Sequence, residues 1–480
     1  MKNYINLRLF TNGGIISPEE LRKIIQVASV SGCKSIFPGS RQELYLQVPQ
    51  NYLDVAEAEL RRLAISYAQV GDSAENIVTS FAALEILPTT AWLLGDAYLD
   101  ILDSFTYQPT LKINLVDPLQ NLVPLFTGEL NFIASSYPRY WYLHVHLSRF
   151  GKGQIWPVLI DGDDIGLLSK LIETIYIKQQ PDSIQSLYLT VSQQFTSRTR
   201  PYEEEIELTH SDFPIIEGMH RTGNSYWLGI YRRNQSYSLE FLDALYAQCI
   251  QTKIGKINIT PHKTFLITDI KGESVRQWEK MLGRYQINIH HSALELNWQL
   301  PDLDQEAIQL KNTWVRELDE KEVSTAGLSF AIQTQPMAVF TPVIIKPTQE
   351  GNAAGYDILY TTDFTTHSQA WEVFASNVPV QQVASILMDL CQVYYTQLGE
   401  SLPVSHPEEA ASLVHIHEVY QCPNCLTVYD PVYGDAMAGI SAGVHFQDLL
   451  EAYVCSLCDT PKSSFTLTTL AENMGSHSKA

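Results

Sequence analysis

Apolar and polar positions alternate with two different periods over the first fifty residues. NLRLF reads as a short strand and NGGII as a turn. Ser17, Pro18 and Glu20 then make a capping box with proline at the first helical position, opening a helix through LRKIIQVAS. SRQELYLQV returns to the two-residue alternation of a half-buried strand. The same order recurs 221 residues later, from YWLGIYRR to TFLITDI. At that offset Ser17 falls on Ser238, Leu21 on Leu242, Ile24 on Leu245, Ile36 on Ile257 and Leu44 on Phe265. One amphipathic helix matches another by chance. A gapless match through two strands, a cap and a helix predicts a duplicated half-domain.

Between the copies the pattern predicts a helical stretch, FAALEILPTTAWLLGDAYLDIL, followed by strands LKINLV, YWYLHVHL and QIWPVLI. After the second copy AVFTPVIIKP and YDILYTT read as strands and VQQVASILMDLCQVYYTQL as a helix. The expected order is a first half-domain at 1–70, a middle α/β domain at 71–210, the second half-domain at 211–300 and a further α/β domain at 301–400. GESLPVSHPEEAASLVHI carries no long periodic run, so 401–417 reads as a linker before a separate module at 418–467. Residues 468–480 read as a tail.

Composition narrows the function. A length of 480 residues suits roughly three domains, and 45% apolar against 18% charged residues describes a well-buried globular chain. The net charge of −21 argues against nucleic acid and suits a basic protein surface as partner. MKNYINLRLF lacks the pattern of a signal peptide, and no uninterrupted apolar run reaches membrane-spanning length, so a cytoplasmic protein without a membrane partner is expected.

Four of the seven cysteines form two close pairs, Cys422 with Cys425 and Cys455 with Cys458, separated by 29 residues. Two CxxC turns can each present both sulfurs to one metal, giving a tetrahedral thiolate site for zinc or a single iron; spacing leaves that choice open. Cys33, Cys249 and Cys391 stand apart. His144 and His146, and the pair His290 and His291, are weaker metal candidates.

The residues around the pairs carry a resemblance. Tyr420, Tyr429-Asp430-Pro431, Gly434-Asp435, Gly439-Ile440, Gly443, Phe446, Asp448-Leu449, Lys462 and Phe465 make this segment similar to rubredoxin, the one-iron electron carrier. The resemblance implies Fe³⁺/Fe²⁺ held by Cys422, Cys425, Cys455 and Cys458, with zinc as the other metal. The chain departs from the family pattern at Leu426 and Asp459, where glycine is usual, at Ser456 for proline and at Tyr453 for the core tryptophan. Left-handed backbone at Leu426 would cost roughly 1–2 kcal/mol.

NLRLFTNGGIISPEEL with SRQELYLQV, and the second copy through NITPHKTFLI, resemble the ferredoxin-like half-domains of the sirohaem nitrite/sulfite reductases over about residues 4–401. The resemblance implies an α/β (α+β) fold: duplicated ferredoxin-like half-domains, further α/β domains of sirohaem-reductase type and a small rubredoxin-like metal-bound C-terminal module. That family holds its four-iron cluster through C-x5-C and C-x3-C pairs, and neither spacing occurs here. Gln335 and Val339 stand at the counterpart of one pair, and ALELNWQLPD at the other. Of the family's basic residues Arg8, Arg41 and Lys112 persist, whereas Glu75 and Thr110 replace others. His262 and Lys263 fall where the second copy would approach an anionic cofactor. A sirohaem and a 4Fe-4S cluster are therefore not expected, although a residual anion or tetrapyrrole site on Arg8, Arg41, Lys112, His262 and Lys263 stays open.

Three readings follow. The first is an electron-transfer protein whose catalytically degenerate body docks a redox partner, either an intact nitrite or sulfite reductase or a flavoprotein reductase. The second is an active enzyme binding a tetrapyrrole in the body, with the rubredoxin-like iron as internal donor. The third is a structural zinc protein. Whether the chain is an enzyme is left undecided by its residues.

Overall fold

The computed structural model describes residues 4–201, 206, 213–348, 355–366, 370–401, 414–435 and 437–473. The chain divides into two compact units, Met1–Tyr395 and Thr396–Ala480.

The larger unit is built around the duplication. In the first copy Tyr4–Leu9 pairs antiparallel with Leu44–Pro49 and with Tyr67–Gln69, and Ser35–Pro38 adds to the other edge of Leu44–Pro49. Ser225–Ile230, Ile257–Ile259 and Phe265–Lys271 repeat this arrangement at the same offset. Helices Pro18–Val30 and Leu239–Thr252 open on Ser17 and Ser238, whose side chains accept from the backbone N–H of Glu20 and Phe241. Even the left-handed residue before the last strand recurs, at Gln42 (φ 65°) and Lys263 (φ 59°).

The copies also exchange strands. Ile15–Ile16 pairs with Ile257 and Asn258 of the second copy, and Tyr237–Ser238 pairs with Ser35 and Ile36 of the first. One core results, in which Leu21, Ile24 and Leu44 meet Leu242, Leu245, Phe265 and Trp278. Such an exchange buries two short edge strands that would otherwise stand open.

The middle sheet runs in the order Thr199–Arg200, Leu159–Asp161, Tyr140–Val145, Leu130–Ala134, Ile113–Val116, Val78–Thr79. Val78–Thr79, Ile113–Val116 and Leu130–Ala134 are parallel, and the other neighbours are antiparallel. Alternate residues feed opposite faces: Leu115 and Phe132 enter one core, Val116 and Ile133 another. The continuous helix expected over FAALEILPTTAWLLGDAYLDIL does not form. Phe81–Ala83 is a single 3-10 turn and only Gly95–Asp103 is α-helical. Pro88 cannot donate to a helical ladder, and Asp117 captures Thr90 through both its backbone N–H and its hydroxyl.

A last sheet, Trp298–Gln299, Phe330–Ile332, Val343–Pro347, Gly355–Tyr360, Glu372–Pro379, is parallel across its first three strands and antiparallel thereafter. Its helices are Gln305–Glu320 and Val383–Ser401. Among the described residues no helix is long and apolar enough to cross a membrane.

The smaller unit holds a three-stranded sheet in which Val414–Gln421 lies between Val428–Tyr429 and Thr466–Asn473. This corrects two expectations. Of the linker at 401–417, residues 414–417 already belong to a strand, and 402–413 lie outside the described residues. Of the tail at 468–480, residues 468–473 are paired strand, and 474–480 lie outside. The threonines of FTLTTLAEN are good strand formers, a signal that outweighs closeness to the end of the chain.

Gln42 pins three parts of the larger unit together. Its fully buried amide donates to the carbonyls of Thr79 and Ile259 and accepts from the Thr79 N–H, at 2.8–3.0 Å. Gln42→Ala would leave those three backbone groups unsatisfied and should cost about 3–5 kcal/mol, read as a lowered midpoint in denaturant unfolding of the full chain.

Candidate metal centre

The two CxxC segments fold into matching loops. In the first, Cys422 N–H donates to Thr427 O and Leu426 N–H to Cys422 O; in the second, Cys455 N–H donates to Thr460 O and Asp459 N–H to Cys455 O, all at 2.8–3.0 Å. Each loop turns through a left-handed residue, Leu426 (φ 64°) and Asp459 (φ 58°), at the positions where the family pattern has glycine. The loops face each other. Cys422 Sγ lies 3.5 Å from Cys458 Sγ and Cys425 Sγ 3.5 Å from Cys455 Sγ, and all four sulfurs fall within 4.8 Å of one another. A tetrahedral ion with metal–sulfur bonds of about 2.3 Å needs sulfur separations of about 3.8 Å, so the donor set fits one four-coordinate thiophilic metal. Cys422 and Cys455 are buried and Cys425 and Cys458 half-exposed.

Aromatic packing holds the loops. Tyr420 stacks on Phe446 at 4.0 Å, and Tyr429, Tyr453 and Phe465 close around it. Tyr453, in place of the expected tryptophan, donates its hydroxyl to Asp435 at 2.8 Å. The buried Lys462 ammonium donates to the carbonyls of Leu449 and Gln447 and to Glu451. Bonds to the sulfur, led by the Thr427 hydroxyl, hold the Cys425 thiol below its ordinary range, whereas burial pushes Cys455 up to about 11. Threonines 427 and 460, whose hydroxyls lie 3.2 and 3.1 Å from Cys425 Sγ and Cys458 Sγ, were not marked by sequence reasoning. Their shared place two residues after each second cysteine was the available signal.

The basic residues of the larger unit are only partly brought together. Arg8, Arg41 and Lys112 line one cleft of about 370 Å³ with Glu43, Tyr45, Glu75, Asp302 and Gln335. The two guanidinium groups are already engaged. Arg8 donates to the carbonyls of Asp72 and Ala74 and pairs with Glu75 at 3.4 Å. Arg41 donates to the carbonyls of Asn76 and Ile113 and lies 3.6 Å from the same Glu75 oxygen. Lys112, which also borders an adjoining cavity of about 710 Å³, makes no ion pair among the described residues. Lys263 does not line either cavity. Its buried ammonium is held by Asp302 at 2.9 Å and by the carbonyls of Leu300 and Pro301. His262 borders a separate small cavity, edge-on to Phe213 and Phe340, and burial lowers it to about 4, so its ring is neutral at pH 7.

The other metal candidates do not assemble. Among the described residues the four C-terminal cysteines make the one His/Cys/Asp/Glu group able to hold an ion. His291 is engaged by Glu217 at 2.5 Å, and His144 packs on Phe126. Cys33 and Cys249 lie in the shared core and Cys391 is buried, each thiol raised by desolvation. Gln335 donates to Asp304, and Val339 lines the larger cavity.

Two outcomes follow. Leu426→Gly removes the left-handed strain and, since Leu426 is 65% exposed, little packing. Set against the added chain entropy of glycine, the net gain should be about 0.5–1 kcal/mol, read as slower metal loss on heating. The Glu43 carboxyl is raised from 4.5 to about 7, first by burial and then by Asp302. Folding therefore takes up a proton, and stability falls as pH rises from 4.5 through 7. Glu43→Gln should be more stable than the parent at pH 8, the difference closing by pH 5, as measured by urea unfolding.

Comparison with known proteins agrees with this division. The Rubredoxin family model matches residues 419–465. Over 46 residues the chain is 48% identical to the high molecular weight rubredoxin of Moorella thermoacetica, covering 10% of this chain and 20% of that protein. Over 45 residues it is 49% identical to the probable rubredoxin HupI of Bradyrhizobium diazoefficiens, covering 9% of this chain and 65% of that one. The chain thus spans a fifth of one relative's length and just under two thirds of the other's. The structure of Mycobacterium tuberculosis NirA protein superposes with a TM-score of 0.64 at 13% identity, covering 82% of this chain and 81% of that one. At that identity the likeness is one of fold. The chain therefore carries a rubredoxin domain at residues 419–465, together with a NirA-like fold over most of its length.

Proposed function

We propose that this protein is a one-electron carrier whose larger unit is a catalytically degenerate reductase-like scaffold that docks a redox partner. The observation that carries the reading is the convergence of four cysteine sulfurs within 4.8 Å on paired loops of a rubredoxin domain. Iron in such a site supplies reversible Fe³⁺/Fe²⁺ chemistry, one electron at a time. The chain fills all four positions with thiolates, so a substrate has no position on the metal. The aromatic shell of Tyr420, Tyr429, Phe446, Tyr453 and Phe465 limits water, and donors near the sulfurs stabilise the added negative charge of the reduced state.

Glu75 supports the degenerate half of the reading. A nitrite or sulfite anion needs uncommitted cations, and here one carboxylate answers both Arg8 and Arg41 while backbone carbonyls take up their tips. An anion placed there would meet Glu75 in a setting of weak screening. The missing cluster cysteines point the same way, because six-electron reduction needs more than one single-electron centre. A net charge of −21 favours a partner with a basic docking face; an intact nitrite or sulfite reductase, or a flavoprotein reductase, is of the right chemical kind. Covalent linkage keeps the carrier at high local concentration beside whatever the scaffold binds. A reducing, cytoplasmic setting suits three buried free thiols.

Metal content and the visible spectrum of aerobically purified protein test the reading. One iron per chain, with charge-transfer colour bleached by one electron and no turnover of nitrite or sulfite, is expected. Cys455→Ser should abolish the colour while residues 1–395 stay folded by circular dichroism. Stoichiometric zinc would replace the reading with a structural role, and strong tetrapyrrole bands with that of an enzyme.

A further inference from the structure

We propose that Thr427 and Thr460 are positioning residues that raise the reduction potential of the centre, each by donating its hydroxyl to the half-exposed sulfur of its own loop. The inference rests on the one-electron reading above and concerns what sets the energy of that electron.

The geometry is duplicated. Each threonine follows the second cysteine of its loop by two residues, directly after the left-handed residue. Each has its backbone carbonyl locked by the N–H of the first cysteine, Cys422 for Thr427 and Cys455 for Thr460, both at 2.8 Å. That bond fixes the Cα, and β-branching leaves the side chain few rotamers. The hydroxyl oxygens consequently sit 3.2 Å from Cys425 Sγ and 3.1 Å from Cys458 Sγ. These are the two sulfurs of the four that are half-exposed, so the hydroxyls occupy the side of the centre that would otherwise be solvated by mobile water. The Thr460 hydroxyl also reaches the Cys422 sulfur of the other loop, so both of its hydrogen-bond neighbours there are cysteine sulfurs.

Chemistry decides the direction. A metal-bound cysteine sulfur carries no proton, so in the loaded protein the hydroxyl must be the donor and the sulfur the acceptor. Ferric iron with four thiolates carries a net charge of −1, and one added electron makes it −2, much of it on sulfur. A hydrogen bond to sulfur is therefore stronger in the reduced state and favours it. Two such bonds, one on each loop, shift the potential upward together. A purely structural threonine would leave the potential where it is, since the loop is already closed by its backbone bonds.

The test is protein-film voltammetry on the iron-loaded full chain and on Thr427→Val, Thr460→Val and the double variant, in which valine keeps the shape and removes the donor. Each single variant should lower the reduced-to-oxidised ratio at a given applied potential by about tenfold, a downward shift of about 59 mV for one electron, with the double variant near the sum. Thr460→Ser, which keeps the hydroxyl, should stay near the parent. Unchanged potentials in both valine variants with iron still bound would overturn the proposal. Should the valine variants lose iron, serine and alanine variants are compared instead: serine above alanine supports the proposal, and equal potentials overturn it. A parent that binds zinc and shows no redox couple defeats the electron-carrier reading itself, an outcome separate from any effect of the threonines.

Discussion

Four cysteine sulfurs held within 4.8 Å of one another are a constraint that thiolates alone cannot sustain, because their charges repel as they ionise. A cation between them would turn that repulsion into a bond network holding the two loops together. The apolar core of the smaller unit is modest: Tyr429, Phe446, Leu449 and Tyr453, with Tyr420 and Phe465 packed alongside. A core of that size leaves little stability in reserve, so metal binding and folding are coupled in a domain of this kind. The matching backbone bonds of the two loops, and the left-handed turns at Leu426 and Asp459, exist to aim sulfur at one point.

The larger unit is organised by a different constraint, the mutual completion of two half-domains. Each copy lends a two-residue strand to the other's sheet, and the helices that follow the caps at Ser17 and Ser238 share one core. Gln42 and Lys263, at the same left-handed position in the two copies, then diverge. The neutral amide ties three segments together, whereas the ammonium is absorbed by Asp302 and two carbonyls. The cleft bordered by Arg8, Arg41 and Lys112 is filled with internal ion pairs, since one Glu75 oxygen lies against both guanidinium groups.

That filling gives the cleft its present character. Arg8 and Arg41 would read as a cradle for an anion if only their types were known. Their shared partner Glu75, and the backbone carbonyls at their tips, make them clamps on the loop from Asp72 to Asn76. Buried Glu43 and Tyr45 and the half-buried Asp302 line the same space, joined by the Tyr45 hydroxyl, which lies 2.8 Å from Glu43 and 3.4 Å from Asp302.

The convergence of the four cysteines was legible in the chain because chemistry and spacing coincide there: two CxxC turns, bracketed by aromatic and glycine positions, admit few other uses. The duplication was legible for a similar reason, since caps and alternating apolar residues are local signals that survive at a fixed offset. Local signals failed where a distant partner decided the outcome. The helix expected across Pro88 gave way to Asp117, and the supposed tail became a strand because Val414–Gln421 offered it a ladder. No residue type announces that Arg8 is paired, that His262 packs between two phenylalanines, or that two threonine hydroxyls touch sulfur. Those facts depend on which side chains from remote segments share a volume, and only the packed chain assigns them. The amino-acid order by itself determined what could bind the metal and which segments repeat; the tertiary structure decided which charges are spent and which donors reach the sulfurs, because pairing and burial are properties of distance in space.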